Sequence, residues 1–522
     1  MGTDERLGSP VVASAAPESH GQDDTTPPWR WQGAGLGLAV VALVGGVALR
    51  VYAPSPLWLD EALSVHIASL GFGDMIDALR HDGHPSFYYL LLGWWMDLFG
   101  DSNGAVRALS GLFSLATVPV LWAIGRRRSL GLASVAALIA LTSPYLLRYG
   151  TEARMYALVS FLVACGWLAA ERAVDAPNPR RLALVAVVTA ALIHTHYWSF
   201  WLIGAACLIL AFTFVREPDR RPLVLRLGIA IAAGAATFVV WLPVFFEQLG
   251  STGTPWAARA RPAEVVIESM QAVGGNNRFE GQLLGTILLV LVLLGALGVR
   301  RAGGVELRFA RGPLTIAAAT VALTLAIGGA VAFVTAGAFE SRYAAVVVPL
   351  VLLLAAGGLT LIPGRVGTIA IAFVVLFGLA VGVDEARRDR TQAAEVAAVI
   401  DRDHQPGDIV AFCPDQLGPA TIRSLTAEIE TIAYPRGDGN LIDWQDYADV
   451  IEDTSPEDFL ARLDTASSGN DIWLVAGLGY RSLGNRCEAI IEALNRTHRA
   501  DRIIAPGPVF EPMLLIRYEP LT

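Results

Sequence analysis

Residues 33–49, Gly-Ala-Gly-Leu-Gly-Leu-Ala-Val-Val-Ala-Leu-Val-Gly-Gly-Val-Ala-Leu, carry no charged or hydrogen-bonding side chain. Comparable stretches recur, 131–147 and 346–361 among them. Each is close to the length a helix needs to cross a hydrocarbon layer of roughly 30 Å. Of the 522 residues, 54% are hydrophobic and 17% charged, and the mean hydropathy is +0.50. Soluble domains carry roughly 25% charged residues. A single soluble globule, a disordered chain and a nucleic-acid binder are therefore excluded, leaving an α-helical polytopic membrane protein.

Every basic residue other than histidine is arginine, and the formal net charge is −9. From Glu385 onward 13 Arg stand against 24 Asp and Glu. An acidic soluble domain (385–522) thus follows a slightly basic membrane part (33–384). Residues 1–32 are polar, rich in Pro, Ser, Asp and Gly, and read as a disordered cytoplasmic tail. That chemistry is wrong for a signal peptide, so the first apolar segment is expected to stay as a helix.

About eleven spanning helices are expected, near 33–52, 105–125, 130–148, 154–171, 181–197, 199–215, 227–246, 282–299, 313–336, 343–361 and 367–383. Segment 86–99, Ser-Phe-Tyr-Tyr-Leu-Leu-Leu-Gly-Trp-Trp-Met-Asp-Leu-Phe, reaches only about 21 Å as a helix and is rich in aromatics, so it reads as lying on the membrane surface. One face then collects fifteen Arg, at 126–128, 172, 180, 181, 216, 220, 221, 226, 300, 301, 308, 311 and 365. The other has eight: Arg80, Arg107, Arg148, Arg154, Arg259, Arg261, Arg278 and Arg342. Because basic loops stay in the cytoplasm, the N-terminus is expected inside and the acidic domain outside. Polar side chains suited to chemistry then gather on the outer face.

Each candidate admits two readings. Asp60 and Glu61, in Trp58-Leu-Asp-Glu-Ala-Leu-Ser, could supply a base for an acceptor hydroxyl, or Asp60 could cap a helix beginning at Glu61. His84, before Pro85, could donate to a phosphate oxygen at a helix start, or be a surface histidine. In Glu152-Ala-Arg-Met-Tyr156 the Arg154 fork suits a phosphate with Glu152 orienting it, the alternative being a structural pair. His194 and His196, two apart in a helix, would point about 200° from each other. That favours a polar cavity lined by His196 and Tyr197 over a metal site. Glu340-Ser-Arg342-Tyr343 offers a second phosphate contact or an interfacial anchor.

The order of these motifs resembles a known family. Trp-Leu-Asp-Glu-Ala (58–62), His-Pro-Ser-Phe-Tyr-Tyr-Leu-Leu-Leu (84–92), Phe-Gly-Asp-Ser with Val-Arg-Ala-Leu-Ser (99–110), Ser-Pro with Tyr-Gly-Thr-Glu-Ala-Arg-Met-Tyr (143–156) and Ser-Arg-Tyr (341–343) resemble the GT-C membrane glycosyltransferases. The nearest branch is the protein O-mannosyltransferase and aminoarabinose-transferase-like group, similar to glycosyltransferase family 39. The resemblance covers 33–383. It implies an inverting transfer of one sugar, mannose or similar, from a polyprenyl-phosphate donor to a glycan, lipid or protein acceptor, on the outer face of the bacterial cytoplasmic membrane. Asp60 would be the base, Glu61 the second acidic position, and Arg154 and Arg342 basic groups near the donor phosphate. The family's usual Pro-Pro after His is Pro85-Ser86 here, which alters the helix start. No metal or other cofactor is expected to be obligatory, because a lipid phosphate is a stable leaving anion that arginines neutralise.

Beyond 385, apolar runs at 408–413, 429–434, 471–476 and 513–518 alternate with helical stretches near 391–404, 416–425, 455–465 and 484–497, an extracytoplasmic three-layer α/β domain. Gly477-Leu-Gly479 lacks the spacing of a phosphate-cradling loop, so the domain reads as acceptor recognition or a structural cap. Cys413 and Cys487 are a candidate disulfide on the oxidising side, whereas Cys165 and Cys207 lie in membrane helices. A polytopic transporter and a non-catalytic membrane scaffold are the rival functions. The transferase reading requires Asp60, Arg154 and Arg342 to border one site.

Overall fold

The structure, a computed structural model, describes residues 34–252, 260–276, 278–301, 304–308, 313–335 and 337–521. The expected tail, Arg259 and Arg311 lie outside these residues. The membrane part contains α1 (Ala34–Val51), α2 (Leu59–Ser69), α3 (Phe72–Asp82), α4 (Phe87–Phe99), α5 (Asn103–Arg126), α6 (Leu130–Thr142), α7 (Pro144–Gly150), α8 (Tyr156–Asp175) and α9 (Pro179–Thr195). It continues with α10 (Ser199–Arg216), α11 (Arg221–Ala236), α12 (Leu242–Ser251), α13 (Pro262–Gly274), α14 (Phe279–Leu297), α15 (Pro313–Val334), α16 (Val348–Leu361) and α17 (Gly364–Ala386). A short hairpin of β1 (Gly298–Arg301) and β2 (Gly304–Leu307) follows α14.

All eleven expected segments lie on a helix or a helix pair. Among the described residues seven, counting α11 and α12 as one, are long and apolar enough to cross a membrane unaided, and α1 and α16 are shorter apolar helices. The segment expected to span at 130–148 is not one straight helix: α6 and α7 meet at a 50° bend. Pro144 cannot donate an amide there, and the buried Arg50 of α1 takes up the released carbonyls, donating to Leu141 at 2.8 Å and Ala140 at 3.0 Å. The segments read as loops are also more regular. Residues 53–104 hold three helices, and 247–281 hold α13.

Those three helices form the floor of the site. Gly93 lets α4 approach α2, since a Cβ there would stand 2.6 Å from the Ala68 carbonyl oxygen. Gly83 ends α3 with φ +79°, turning the chain so that His84 faces inward.

The C-terminal α/β domain holds α18 (Ala393–Asp403), β3 (Ile409–Cys413), α19 (Gly418–Ser424), β4 (Glu430–Ala433), α20 (Tyr447–Asp453), α21 (Pro456–Ser467), β5 (Ile472–Ala476), α22 (Arg486–Thr497), β6 (His498–Ile504) and β7 (Leu514–Pro520). The sheet order is β4-β3-β5-β7-β6, parallel over the first three strands and antiparallel at β7 and β6. Alternation splits β3 between two cores: Val410 and Phe412 face α18, α19 and the membrane part, while Ile409, Ala411 and Cys413 face α21 and α22. The three layers match the sequence reading. Strand β6, His-Arg-Ala-Asp-Arg-Ile-Ile, escaped it because its exposed charges suit a protected edge rather than a buried strand. The domain is stitched to the membrane part by Trp444 N–H to the His81 carbonyl (3.1 Å), Asp446 N–H to the Ser251 carbonyl (2.8 Å) and a His81–Asp443 pair (2.6 Å).

Cys413 and Cys487 are bonded, tying β3 to α22 across 74 residues. Non-reducing mass spectrometry is expected to recover the linked peptides. Replacing both by Ser should destabilise this domain by about 3–5 kcal/mol, read as a lower melting temperature. Two free thiols in the unreduced protein would contradict the pairing.

Candidate active site

Helix α2 begins at Leu59, with Trp58 at the N-cap position making no side-chain cap. Asp60 lies inside the first turn, so it does not cap a helix starting at Glu61. Its carboxylate instead meets two guanidinium groups from distant stretches: Arg342 Nη1 at 3.3 Å and Arg154 Nε at 3.9 Å. Arg342 comes from the 3₁₀ turn Ser341–Val346 and is anchored at its carbonyl by the Tyr145 hydroxyl (2.5 Å). The three residues needed by the transferase reading therefore border one site.

Arg154 is buried and strongly held. It donates to Ser64 Oγ at 2.7 Å, and its Nη2 lies 3.2 Å from His84 Nε2. Since Arg only donates, His84 accepts through Nε2, and its Nδ1–H goes to Asp82 Oδ2 at 3.0 Å. Tyr89 donates to the same Asp82 oxygen at 2.7 Å. Burial works against the Asp82 charge, but His84, Arg154 and Tyr89 outweigh it and hold the carboxyl down at about 2. The expected role of His84 changes accordingly: both ring nitrogens are engaged, and it braces Arg154 instead of offering an N–H to phosphate.

Two acidic expectations are corrected. Glu61 is fully buried and points away from Asp60. It pairs bidentately with Arg107 (2.7 and 2.6 Å), accepts from the Ala153 N–H (2.9 Å) and lies 3.4 Å from Arg390 Nη1. Burial opposes its charge, yet Arg107, Arg390 and the Ala153 amide keep its carboxyl below the ordinary range. Glu152 faces Arg148 (3.3 Å) and Arg390 (3.9 Å), so it does not orient Arg154. Arg390 also donates twice to Thr151 at 2.8 Å. Arg107 and Arg390 were missed as structural partners because nothing in a lone arginine, 46 or 329 residues from Glu61, marks the pairing.

Tyr156, His196 and Tyr343 form an aromatic wall beside His84. Ring centroids of His196 lie 6.4 Å from His84, 5.8 Å from Tyr156 and 5.1 Å from Tyr343. His194 turns elsewhere, to Thr237 at 3.2 Å. Tyr197 stands behind the wall: it donates to Gln248, whose amide donates to the Leu79 (2.6 Å) and His84 (3.2 Å) carbonyls and so fixes the His84 turn. A cleft of about 490 Å³ opens between α2, α3 and α4, lined in part by Tyr89, Trp94 and Met75. Its Tyr89 wall connects it to Arg154, 3.5 Å from that hydroxyl.

A multi-pass bundle with short helices after its first span and a C-terminal α/β domain is the GT-C fold. The chain superposes on the crystal structure of ArnT from Cupriavidus metallidurans in the apo state with a TM-score of 0.60 and 12% identity, covering 93% of this chain and 98% of that one. The crystal structure of ArnT from the same organism bound to undecaprenyl phosphate aligns with a TM-score of 0.57 and 13% identity, covering 94% and 98%. Residues 83–245 match the family model described as dolichyl-phosphate-mannose-protein mannosyltransferase, which includes His84, Arg154, Tyr156 and His196 but not Asp60 or Arg342. No curated protein matches the chain in sequence. The chain thus has the fold of the ArnT structures, and its residues 83–245 carry a likeness to the protein-mannosyltransferase family of the kind the ordered motifs suggested.

Two outcomes follow from this geometry. Arg107→Met leaves Glu61 short of its main partner and should cost about 3–5 kcal/mol in thermal or denaturant unfolding, with part recovered in the Glu61→Met/Arg107→Met double variant. A carboxyl held at about 2, as Asp82 is, stabilises the fold at pH above roughly 4 and loses that contribution as pH falls from there toward 2. Asp82→Asn should flatten the acid limb of a melting-temperature profile in that window. An unchanged limb would show that Asp82 is not held ionised.

Proposed function

We propose that the chain is an inverting glycosyltransferase moving a single sugar from a polyprenyl-phosphate donor to a cell-envelope glycan, lipid or protein. The observation that carries this reading is the meeting of Asp60 with Arg342 at 3.3 Å and Arg154 at 3.9 Å. The carboxylate engages both guanidinium groups. A donor phosphodiester competes for the same donors and frees Asp60 to act as base.

In the transfer step Asp60 takes the proton of the acceptor hydroxyl. That oxygen forms a bond to the anomeric carbon from the face opposite the phosphate. The bond from carbon to phosphate oxygen breaks, its electron pair leaving on the lipid phosphate, which gains one negative charge. Arg154 and Arg342 are positioned where that charge appears, and His84 with Ser64 keeps Arg154 from rotating away. Two guanidinium groups suffice for this neutralisation, so no metal is assigned to the reaction. The undecaprenyl phosphate named for one ArnT structure supports a polyprenyl carrier.

The arginine asymmetry of the loops supports the bacterial cytoplasmic membrane, with the N-terminus inside and the C-terminal domain outside. The Cys413–Cys487 bond suits that exterior.

Purified protein in lipid nanodiscs, given a panel of polyprenyl-phosphate sugars and extracted envelope acceptors, is expected to transfer sugar. Asp60→Asn should lower the rate by on the order of 10²–10⁴ while melting like the wild type. A wild-type rate in that variant removes the base assignment. Chelation with EDTA should leave transfer unchanged, and its collapse would overturn the metal-independent mechanism.

A further inference from the structure

Between β6 and β7, the C-terminal domain sends Phe510 and Glu511 onto the first turn of α2. Phe510 packs edge to face on Trp58, with centroids 5.0 Å apart, and the Arg342 guanidinium lies 6.0 Å from the same Trp58 ring. Glu511 accepts the Leu59 N–H at 3.2 Å, doing for α2 what an N-cap side chain would, since Trp58 has none to offer. Its main chain is pinned on both sides: its N–H donates to the Arg390 carbonyl (2.8 Å) and its carbonyl accepts from Gln392 (3.3 Å).

The side chain is 3% exposed, and Oε2 has no hydrogen-bond partner among the described residues. The groups facing it are Asp60 and Glu61 from α2, the Thr391 hydroxyl, and Tyr480 from the turn before α22. The Arg390 guanidinium, next in line, is directed to Glu61 and Thr151. Burial, with Asp60 and Glu61 adding repulsion, pushes the Glu511 carboxyl up to about 8.

We propose that Glu511 is a positioning residue: from the C-terminal domain it fixes the first turn of α2, and through it the Asp60 carboxylate between its two arginines. This rests on the reading of Asp60 as the base. Protonated, Glu511 accepts from Leu59 without setting a second negative charge beside Asp60. Ionised, it repels Asp60 and Glu61 and loosens that turn. Transfer should therefore fall as pH rises through about 8.

The test is the pH profile of transfer in nanodiscs from pH 6 to 10, for wild type, Glu511→Gln, Glu511→Ala and Asp60→Asn, with melting temperatures alongside. Gln keeps the carbonyl that accepts from Leu59 and cannot ionise, so its rate should hold through the alkaline range where the wild type falls. Ala should lose about 10-fold to 100-fold in kcat with little change in donor KM, the effect of a misplaced base. If Glu511→Ala fails to fold, Glu511→Gln still decides the matter. An alkaline fall in Glu511→Gln identical to the wild type, with Asp60→Asn inactive, overturns this inference alone. An active Asp60→Asn removes the base assignment and this inference with it.

Discussion

A carboxylate with no access to water must be matched by positive charge and hydrogen bonds, because an isolated ion in a low-dielectric interior costs many kcal/mol. Glu61 is in that position, and most of the site follows from how it is satisfied. Arg107 comes from α5, the Ala153 amide from the turn between α7 and α8, and Arg390 from the start of the C-terminal domain. One side chain thus joins four segments. Successive helical residues point about 100° apart, so fixing Glu61 inward aims Asp60 at Arg154 and Arg342. The adjacent acids of the Asp-Glu pair face opposite ways, one into the anchoring network and one toward the two arginines.

The same separation recurs around residues 148–154. Arg148 and Glu152 face the anchoring network, whereas Arg154 faces the site and is braced by Ser64 and His84. A guanidinium held by neutral partners keeps its charge available for a phosphate. One paired with a carboxylate at close range is already neutralised. Arg154 meets the first condition, with its nearest carboxylate contact, Asp60, at 3.9 Å. Asp82 acts one step further out, through His84.

Much of this was legible in the sequence, for identifiable reasons. Apolar runs the length of a bilayer announce spans, and short unbroken apolar runs at 409–413 and 472–476 announce strands buried on both faces. Asp60, Arg154 and Arg342 were legible because ionisable groups at helix mouths are expensive and seldom idle. What stayed hidden depended on long-range pairing. The bend at Ser143–Pro144 became affordable only because Arg50 arrives from α1 to satisfy Ala140 and Leu141. Whether Glu152 serves Arg154 or Arg148 cannot be read from a spacing of two or four residues; the fold of the 151–155 turn decides it. Strand β6 was invisible because an edge strand wears the charge pattern of a loop.

The C-terminal domain is the least explicit part of the sequence, yet its contacts argue against an independent appendage. One face of its sheet shares a hydrophobic core with the membrane helices, through Phe412, Val475 and Leu515. The segment entering it supplies Arg390 to Glu61, and its last loop supplies Glu511 to Leu59. These two contacts grip α2 at Leu59 and Glu61 in its first turn, one on the helix end and one on the anchored acid. Asp60 lies between them. A short helix of eleven residues has little intrinsic stability, so its first turn takes the geometry its neighbours impose. The candidate site is thus completed by residues up to 452 positions away in sequence, and the α/β domain belongs to its architecture as much as the helices that carry the arginines.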